Sequence, residues 1–325
     1  MTQNNLYINK VTCGDISVII KNIADNSIDI IFTDPPYFID KLDSNWNPSK
    51  VHNTKNQQTI KSLPAGMKFD RQQGINFYNW YLELSREFYR VLKPGGFFFS
   101  FSAPRLYHRM ASAMDDAGFE IRDMFSWLYT QNQMKAMSLN HFVQKSTLDN
   151  TQKSDLIDKL CGWKTPQIKS CFEPIAMAQK PTDGTFLSNI QKHNIGLLNT
   201  NIKLGLEDNM SPANVFTDRK IHEVIDRAFL INKPSKGQKG DFNHHSTVKP
   251  VEICRYILSL VAFDSQTVVL EPFAGSGTTC VACKELGINY IGTELNQEYV
   301  DICNQRLNKT NHILDKLTPP ILTLF

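Results

Sequence analysis

Thr267-Val268-Val269-Leu270-Glu271-Pro272-Phe273-Ala274-Gly275-Ser276-Gly277-Thr278-Thr279 passes from an apolar, β-branched run through a glycine-bearing loop into a stretch of helical pattern that continues to about Leu286. Strand, tight loop and helix in that order form the repeating unit of a parallel sheet covered by helices. Working outward, Val251, Ile253, Cys254, Ile257, Leu258 and Val261 recur at helical spacing before the unit, and a strand at 289–292 and a helix at 296–307 follow it. The other end of the chain repeats the alternation. Residues 27–33 (S-I-D-I-I-F-T) read as a buried strand stopped by Asp34 and two prolines. Phe77, Trp80, Tyr81, Leu84, Phe88, Val91 and Leu92 then mark a helix that Lys93-Pro94-Gly95-Gly96 ends. A strand at 97–101, a helix from Pro104 to Gly118 and a strand at 119–129 complete this half. Between them, 130–243 is rich in Asn, Gln, Lys and Ser, with only short apolar runs. The expectation is an α/β, doubly wound, mostly parallel sheet built from 1–130 plus 244–325, with 131–243 as an excursion from it.

Composition sets the outer limits. A chain of 325 residues with 41% apolar content can bury one large core and carry an accessory region. No run approaches the roughly 20 apolar residues of a membrane span, and the first residues lack the profile of a signal peptide. A cytoplasmic protein with no membrane partner is expected. The seven cysteines form no disulfide framework, so reduced thiols are expected, and Cys280 and Cys283 read as small core residues one helical turn apart. His244-His245 reads as loop, and no metal is expected. The net charge of +3 is too small to argue for nucleic acid by itself. Its distribution says more: Lys41, Lys50, Lys55, Lys61, Lys68 and Arg71 face only Asp43 and Asp70 in a polar segment. The segment 38–75 therefore reads either as a mobile loop contacting phosphates or as a solvated surface loop.

Two motifs carry chemistry. Asp34-Pro35-Pro36-Tyr37 falls where a strand ends, the edge at which doubly wound sheets bind ligands. An exocyclic base amine is a poor nucleophile because its lone pair is delocalised into the ring, so its catalyst must hold it with hydrogen-bond acceptors. The Asp34 carboxylate and the Pro35 carbonyl can each accept one N–H, Pro36 stiffens the backbone, and Tyr37 can stack on a base held out of the duplex. A proline-rich turn with an exposed acid is the plainer reading. In the second motif, Gly275 and Gly277 let the backbone approach a ligand at a helix N-terminus. No Lys precedes the Thr pair, which excludes a phosphate-binding loop of the Walker type, and Cys280 stands where a dinucleotide fingerprint needs its third glycine. Glu294 ends the next strand about 20 residues on, where an acid reaches ribose hydroxyls. A nucleoside without pyrophosphate fits best, and an ordinary tight junction is the alternative.

Together these motifs resemble the β class of the amino-methyltransferase family that methylates DNA in restriction-modification systems and in solitary bacterial methylation. The likeness extends to Gly14-Asp15, to Leu92-Lys93-Pro94-Gly95-Gly96, to His245-Ser246-Thr247-Val248-Lys249-Pro250 and to 291–299 (I-G-T-E-L-N-Q-E-Y), in the family's order, over about half the chain. It implies a circularly permuted class I fold dependent on S-adenosylmethionine, with a target-recognition region at 131–243. Within that region Lys135, His141, Lys145, Lys164, Lys169, Lys192, Arg219, Lys220 and Lys233 lie among Asn and Gln, and no single base reader is assigned. The resemblance assigns Asp34, Pro35, Pro36 and Tyr37 to the base. It gives Asp15 to the donor's adenine, Glu294 to its ribose, and Lys249 with Gly275, Ser276 and Gly277 to its methionine end, and it places Ile16, Thr278 and Leu295 in the donor site. Asp34, Glu271 and Phe273 complete the donor site. Glu271 stands where the family usually has Asp, and Ser246 where Pro is common. Asp at the first position of the catalytic motif is similar to enzymes acting on N6 of adenine, with N4 of cytosine as the alternative. Methylation at carbon-5 of cytosine is disfavoured, since it uses a thiolate in a Pro-Cys pair and this chain has none. Methylation of RNA or of protein glutamine, and a catalytically inactive DNA-binding regulator, are further alternatives. The partners implied are double-stranded DNA, a cognate restriction endonuclease and, as in similar proteins, a second copy of the chain.

Overall fold

The structure, a computed structural model, describes residues 6–36, 71–129, 136–165, 171–202, 214–217, 229–230, 234–239, 242–243 and 248–311. The chain begins with β1 (Lys10–Cys13), α1 (Ile16–Ile19), a 3-10 turn (Ile20–Asn22) and β2 (Ile28–Thr33). Then come α2 (Arg71–Val91), β3 (Leu92–Phe101), α3 (Tyr107–Asp116), β4 (Glu120–Leu128), α4 (Asn140–Gln144), α5 (Asn150–Lys159) and β5 (Phe172–Gln179). The remainder runs α6 (Phe186–His193), β6 (Val215–Thr217), β7 (Phe229–Leu230), α7 (Lys236–Lys239), α8 (Val251–Val261), β8 (Val268–Glu271), α9 (Thr278–Leu286), β9 (Asn289–Glu294) and α10 (Gln297–Lys309).

The described strands form one 9-stranded sheet in the order β1-β9-β8-β2-β3-β5-β4-β6-β7. β5 is antiparallel to both its neighbours, and the other adjacent pairs are parallel. The last strand, β9, pairs with the first, β1, in the register Lys10 to Ile291 through Cys13 to Glu294, so the two ends of the chain meet inside one sheet. This is the doubly wound, permuted α/β arrangement expected from the sequence.

Side chains that alternate along each strand fill two cores. On β3, Phe97, Phe99 and Phe101 face one core, to which α8 and α9 bring Ile253, Ile257, Val281 and Cys283. Phe98 faces the other, under α2 and α3, with Phe77, Tyr81, Phe88 and Met110. Burying a side chain of this size stabilises the fold by about 1.5–3 kcal/mol, so the alternation from Phe97 to Phe101 fixes the register of that part of β3. A buried polar tie supplements it: Asp29 on β2 accepts from Lys93 Nζ at 2.6 Å and from the backbone N–H of Val268 at 2.8 Å, linking β2 to β3 and β8.

Two expectations need correction. The middle region is not wholly an excursion, because β5, from inside 131–243, lies between β3 and β4. Ile175 and Met177 belong to one core and Ala176 and Ala178 to the other. A strand apolar on both faces shows no alternation in sequence, which is why it was not read. The segment 38–75 is also not all loop, since α2 begins at Arg71; residues 37–70 lie outside the described residues.

Candidate active site

Parallel strands end on a common edge, and that edge gathers the motif residues. β2 delivers Asp34 there, β8 Glu271, β9 Glu294, and β1 leads through Gly14 into Asp15. The backbone N–H of Gly14 donates to the Glu294 carbonyl at 2.9 Å, which joins the turns after β1 and β9. Asp15 is the N-cap of α1, its carboxylate accepting from Ser17 N at 2.8 Å, and it remains exposed while Ile16 is buried. Beside it, Cys13 Sγ donates to the carbonyl of Leu295 at 3.6 Å.

The glycine loop is held from three sides. Glu294 accepts from Gly275 N and Asn296 N, both at 2.9 Å, and burial pushes its carboxyl above the usual range. Two of the four lone-pair positions of a carboxylate are thereby used, which leaves acceptor capacity for hydroxyls. Glu271, 4% exposed, accepts from Phe273 N at 3.0 Å and from the Thr279 hydroxyl at 2.7 Å, and burial pushes it up to about 8. Its carboxyl is therefore turned into the loop. The Phe273 ring packs on Trp80, 5.7 Å between centroids. From behind, Arg306 on α10 donates to the Ser276 carbonyl at 2.7 Å and reaches the hydroxyls of Ser276 and Thr278 at 3.2 Å. Gly275 and Gly277 have φ of 52° and 81°, a region that glycine enters without strain.

Asp34 meets Lys249 at the centre of this edge. The Lys249 ammonium bonds the Asp34 carboxylate, lies 3.4 Å from Glu173 Oε2 on β5, and sits 5.0 Å from the centroid of the Phe101 ring. Burial acts to lower its pKa, but the two carboxylates outweigh burial and hold the pKa above that of an ordinary lysine. Pro35 is buried and Pro36 half-buried. Tyr37, His244, His245 and Ser246 lie outside the described residues, as do Lys135, Lys169, Arg219, Lys220 and Lys233. His141, Lys145 and Lys164 are exposed, and Lys192 pairs with Asp183 at 2.9 Å. Among the described residues no three His, Cys, Asp or Glu side chains are placed to hold a metal ion, and no helix is long and apolar enough to cross a membrane.

Sequence reasoning missed Glu173 and Arg306. Arg306 had a signal, because it falls on the same helical face as Ile302, Cys303 and Leu307, all buried. Glu173 had none once β5 went unread.

The residues suit S-adenosylmethionine. Carboxylates at the ends of β1 and β9 match the hydroxyls and amine of a nucleoside, while a buried ammonium and a glycine loop opening a helix match an amino-acid end. Fold and edge together define a class I methyltransferase dependent on S-adenosylmethionine. A family model described as DNA methylase matches residues 28–305. The Type II methyltransferase M.HindIII of Haemophilus influenzae is 31% identical over 303 residues, covering 89% of this chain and 91% of that protein. M.HpaI of Haemophilus parainfluenzae, also a Type II methyltransferase, is 26% identical over 315 residues, covering 95% and 77%. The solved PvuII DNA methyltransferase, cytosine-N4-specific, shares the fold with a TM-score of 0.52 at 14% identity, covering 94% of this chain and 97% of that one. The chain belongs to the N6/N4 DNA methylase family and is a DNA methyltransferase.

Proposed function

We propose that the protein methylates N6 of adenine in a specific sequence of double-stranded DNA, acting on a base turned out of the helix. The observation that carries this reading is the half-buried Asp34 carboxylate at the end of β2, joined directly to the buried Pro35 on the edge that also holds Glu294 and the glycine loop. Asp34 and the Pro35 carbonyl accept the two N–H groups of the amine and so direct its lone pair. Pro36 stiffens that backbone, and Tyr37 stacks on the base.

S-adenosylmethionine supplies an electrophilic methyl group when bound. Asp15 and Ile16 hold its adenine, Glu294 and Leu295 its ribose, and Lys249 with Gly275, Ser276, Gly277 and Thr278 its methionine end. Phe273 closes the site, and Glu271 acts through the loop it braces. Aspartate at the first motif position favours adenine over N4 of cytosine. Residues 131–243 supply target recognition around β5, and 38–75 contacts the duplex. Similarity to Type II methyltransferases supports a role beside a cognate restriction endonuclease, with a homodimer as the working assembly.

Transfer of radiolabelled methyl groups to unmethylated genomic DNA, followed by nucleoside digestion and mass spectrometry, tests this reading. N6-methyladenine from the parent and none from Asp34→Ala is the expected result. N4-methylcytosine would move the target to cytosine, and no methylated nucleoside despite donor binding would overturn the reading.

A further inference from the structure

Residues 138–164 form a lobe that contributes almost nothing to the core. Its two ends are tied together: Thr165 N donates to the Met137 carbonyl and Met137 N to Thr165 Oγ1, both at 2.9 Å. Within it, α4 buries only Val143 and α5 buries no residue. The sheet decides where the lobe stands. β4 runs parallel to β3, so its end at Leu128 reaches the edge that holds Asp34. β5 starts from the same edge, where Phe172 pairs with Leu128 and the next residue, Glu173, lies 3.4 Å from Lys249 Nζ. Residues 129–171 therefore leave and re-enter the sheet beside the site.

The lobe exposes apolar side chains. Trp163 is 72% exposed, Phe142 49% and Leu139 38%. Single exposed apolar residues are ordinary, but three on one small lobe, the largest of them an indole, mark a contact surface. Among the described residues the Trp163 side chain has neither a ring contact nor a hydrogen bond.

Charge says what that surface meets. Residues 135–169 hold six lysines and one histidine against three aspartates, a surplus equal to the +3 of the whole chain. Asp149 is occupied as the N-cap of α5, accepting from Gln152 N at 2.9 Å. Asp155 and Asp158 share the face of α5 opposite the half-buried Leu156, Ile157 and Leu160, so they point away from the helix pair's own contact. Lys145, just past α4, and Lys164, beside Trp163, are exposed, and neither is in an ion pair among the described residues. Unpaired ammonium groups neutralise phosphates, and an indole stacks on bases. A two-fold contact with a second copy of the chain would instead set the same lysines against one another.

We propose that the α4–α5 lobe is an arm that grips the DNA duplex at the mouth of the site, with Lys145 and Lys164 on phosphates and Trp163 stacked on a nucleotide. This deepens, and rests on, the reading of 131–243 as the region that meets DNA.

The test compares the full chain with Trp163→Ala, Trp163→Phe and the double variant Lys145→Gln/Lys164→Gln. Fragmented unmethylated genomic DNA is the probe, and its Kd is measured over a series of salt concentrations. Donor Kd by calorimetry, melting temperature and sedimentation without DNA are measured beside it. Trp163→Ala is expected to weaken DNA binding about tenfold at every salt concentration while keeping the parental salt slope, as loss of one stacking contact does. Trp163→Phe recovers part of that, since a smaller ring still stacks. The lysine variant lowers the slope of log affinity against log salt by about 0.9 for each phosphate contact removed. Donor Kd and melting temperature stay parental in all three, because the altered side chains are exposed.

Parental DNA affinity and salt slope in all the variants would overturn the proposal. So would a Trp163→Ala chain that fails to fold, which would make the indole a structural residue, or a donor Kd that weakens in parallel with DNA binding. A parent that sediments as a dimer and a Trp163→Ala chain that sediments as a monomer would give the surface to a second copy and overturn it too. The underlying reading fails separately: a parent that methylates no DNA removes both, whereas a methylating parent beside variants of parental DNA affinity removes only the role of the lobe.

Discussion

Arg306 donates to the carbonyl oxygen of Ser276 at 2.7 Å, across 30 positions of sequence, and so ties α10 to the glycine loop. Arg306 is 7% exposed, and burial holds its pKa below the usual arginine value. Arg306→Met leaves a buried carbonyl and two hydroxyls short of a donor. A hydrogen bond to a charged group contributes about 1.5–3 kcal/mol, so a fall of that size in unfolding free energy is expected in denaturant titration. Because the loop is what the guanidinium holds, donor affinity falls as well. Arg306→Lys recovers only part, since all three bonds come from one terminal guanidinium nitrogen and the shorter lysine side chain must bring its ammonium to that same point.

Gly277→Ala meets two obstacles at once. The backbone there has φ of 81°, and an added Cβ would lie 2.0 Å from Cys303 Sγ and 3.0 Å from its Cβ. The backbone strain alone costs about 1–2 kcal/mol, and the contact with α10 adds to it. Calorimetry should show a lower melting temperature for Gly277→Ala. Cys303→Ala in the same chain should restore only the part due to sulfur, because the backbone strain and the Cβ contact remain.

How much of this could be read from the chain follows from where each signal lies. The unit from Thr267 to Leu286 was legible because strand, glycine loop and helix are contiguous, and each has its own period. Asp34 and Glu294 were legible because each ends an apolar strand. The need for Gly95 was legible only in part: Lys93-Pro94-Gly95-Gly96 marks a break, but α2 passes directly into β3 there. The space at Gly95 is set by Asn189, whose Nδ2 would lie 2.2 Å from an added Cβ. That partner is 94 positions away in a region without readable periodicity. Glu173 was hidden for a related reason, since Ile175-Ala176-Met177-Ala178 faces two cores and shows no polar side. Contacts set by sequence-distant partners leave no local pattern.

Lys180 tests whether the middle of the chain belongs to the fold. Placed just after β5, it donates to the carbonyls of Tyr89 and Leu92 at 2.7 and 2.8 Å and to Asn26 Oδ1 at 2.8 Å, closing the end of α2. Carbonyls at a helix C-terminus have no partners within the helix, and a cation there is favourable. Lys180→Met should destabilise the protein by about 2–3 kcal/mol. Hydrogen exchange should rise first in the last turn of α2 and at the start of β3. A neutral effect would mean that these carbonyls find water instead.

Glu271 offers a pH test of the site. Its carboxyl is pushed up to about 8 in the folded chain from a usual 4.5, chiefly by burial, against the bonds from Thr279 and Phe273 that favour the ionised form. With the folded pKa above the unfolded one, the folded state binds the extra proton between those values. Its stabilising contribution is complete below about 4.5 and is lost as pH rises through about 8. The slope reaches at most about 1.4 kcal/mol per pH unit. Glu271→Gln removes the titration while its amide oxygen can still accept one of the two bonds. The difference in stability between parent and variant should therefore change steadily from pH 5 to 8, in favour of the variant, and then level off. Subtraction cancels the carboxylates common to both chains. A flat difference over that range would show that Glu271 is already ionised in the folded protein, with the Thr279 and Phe273 bonds outweighing burial.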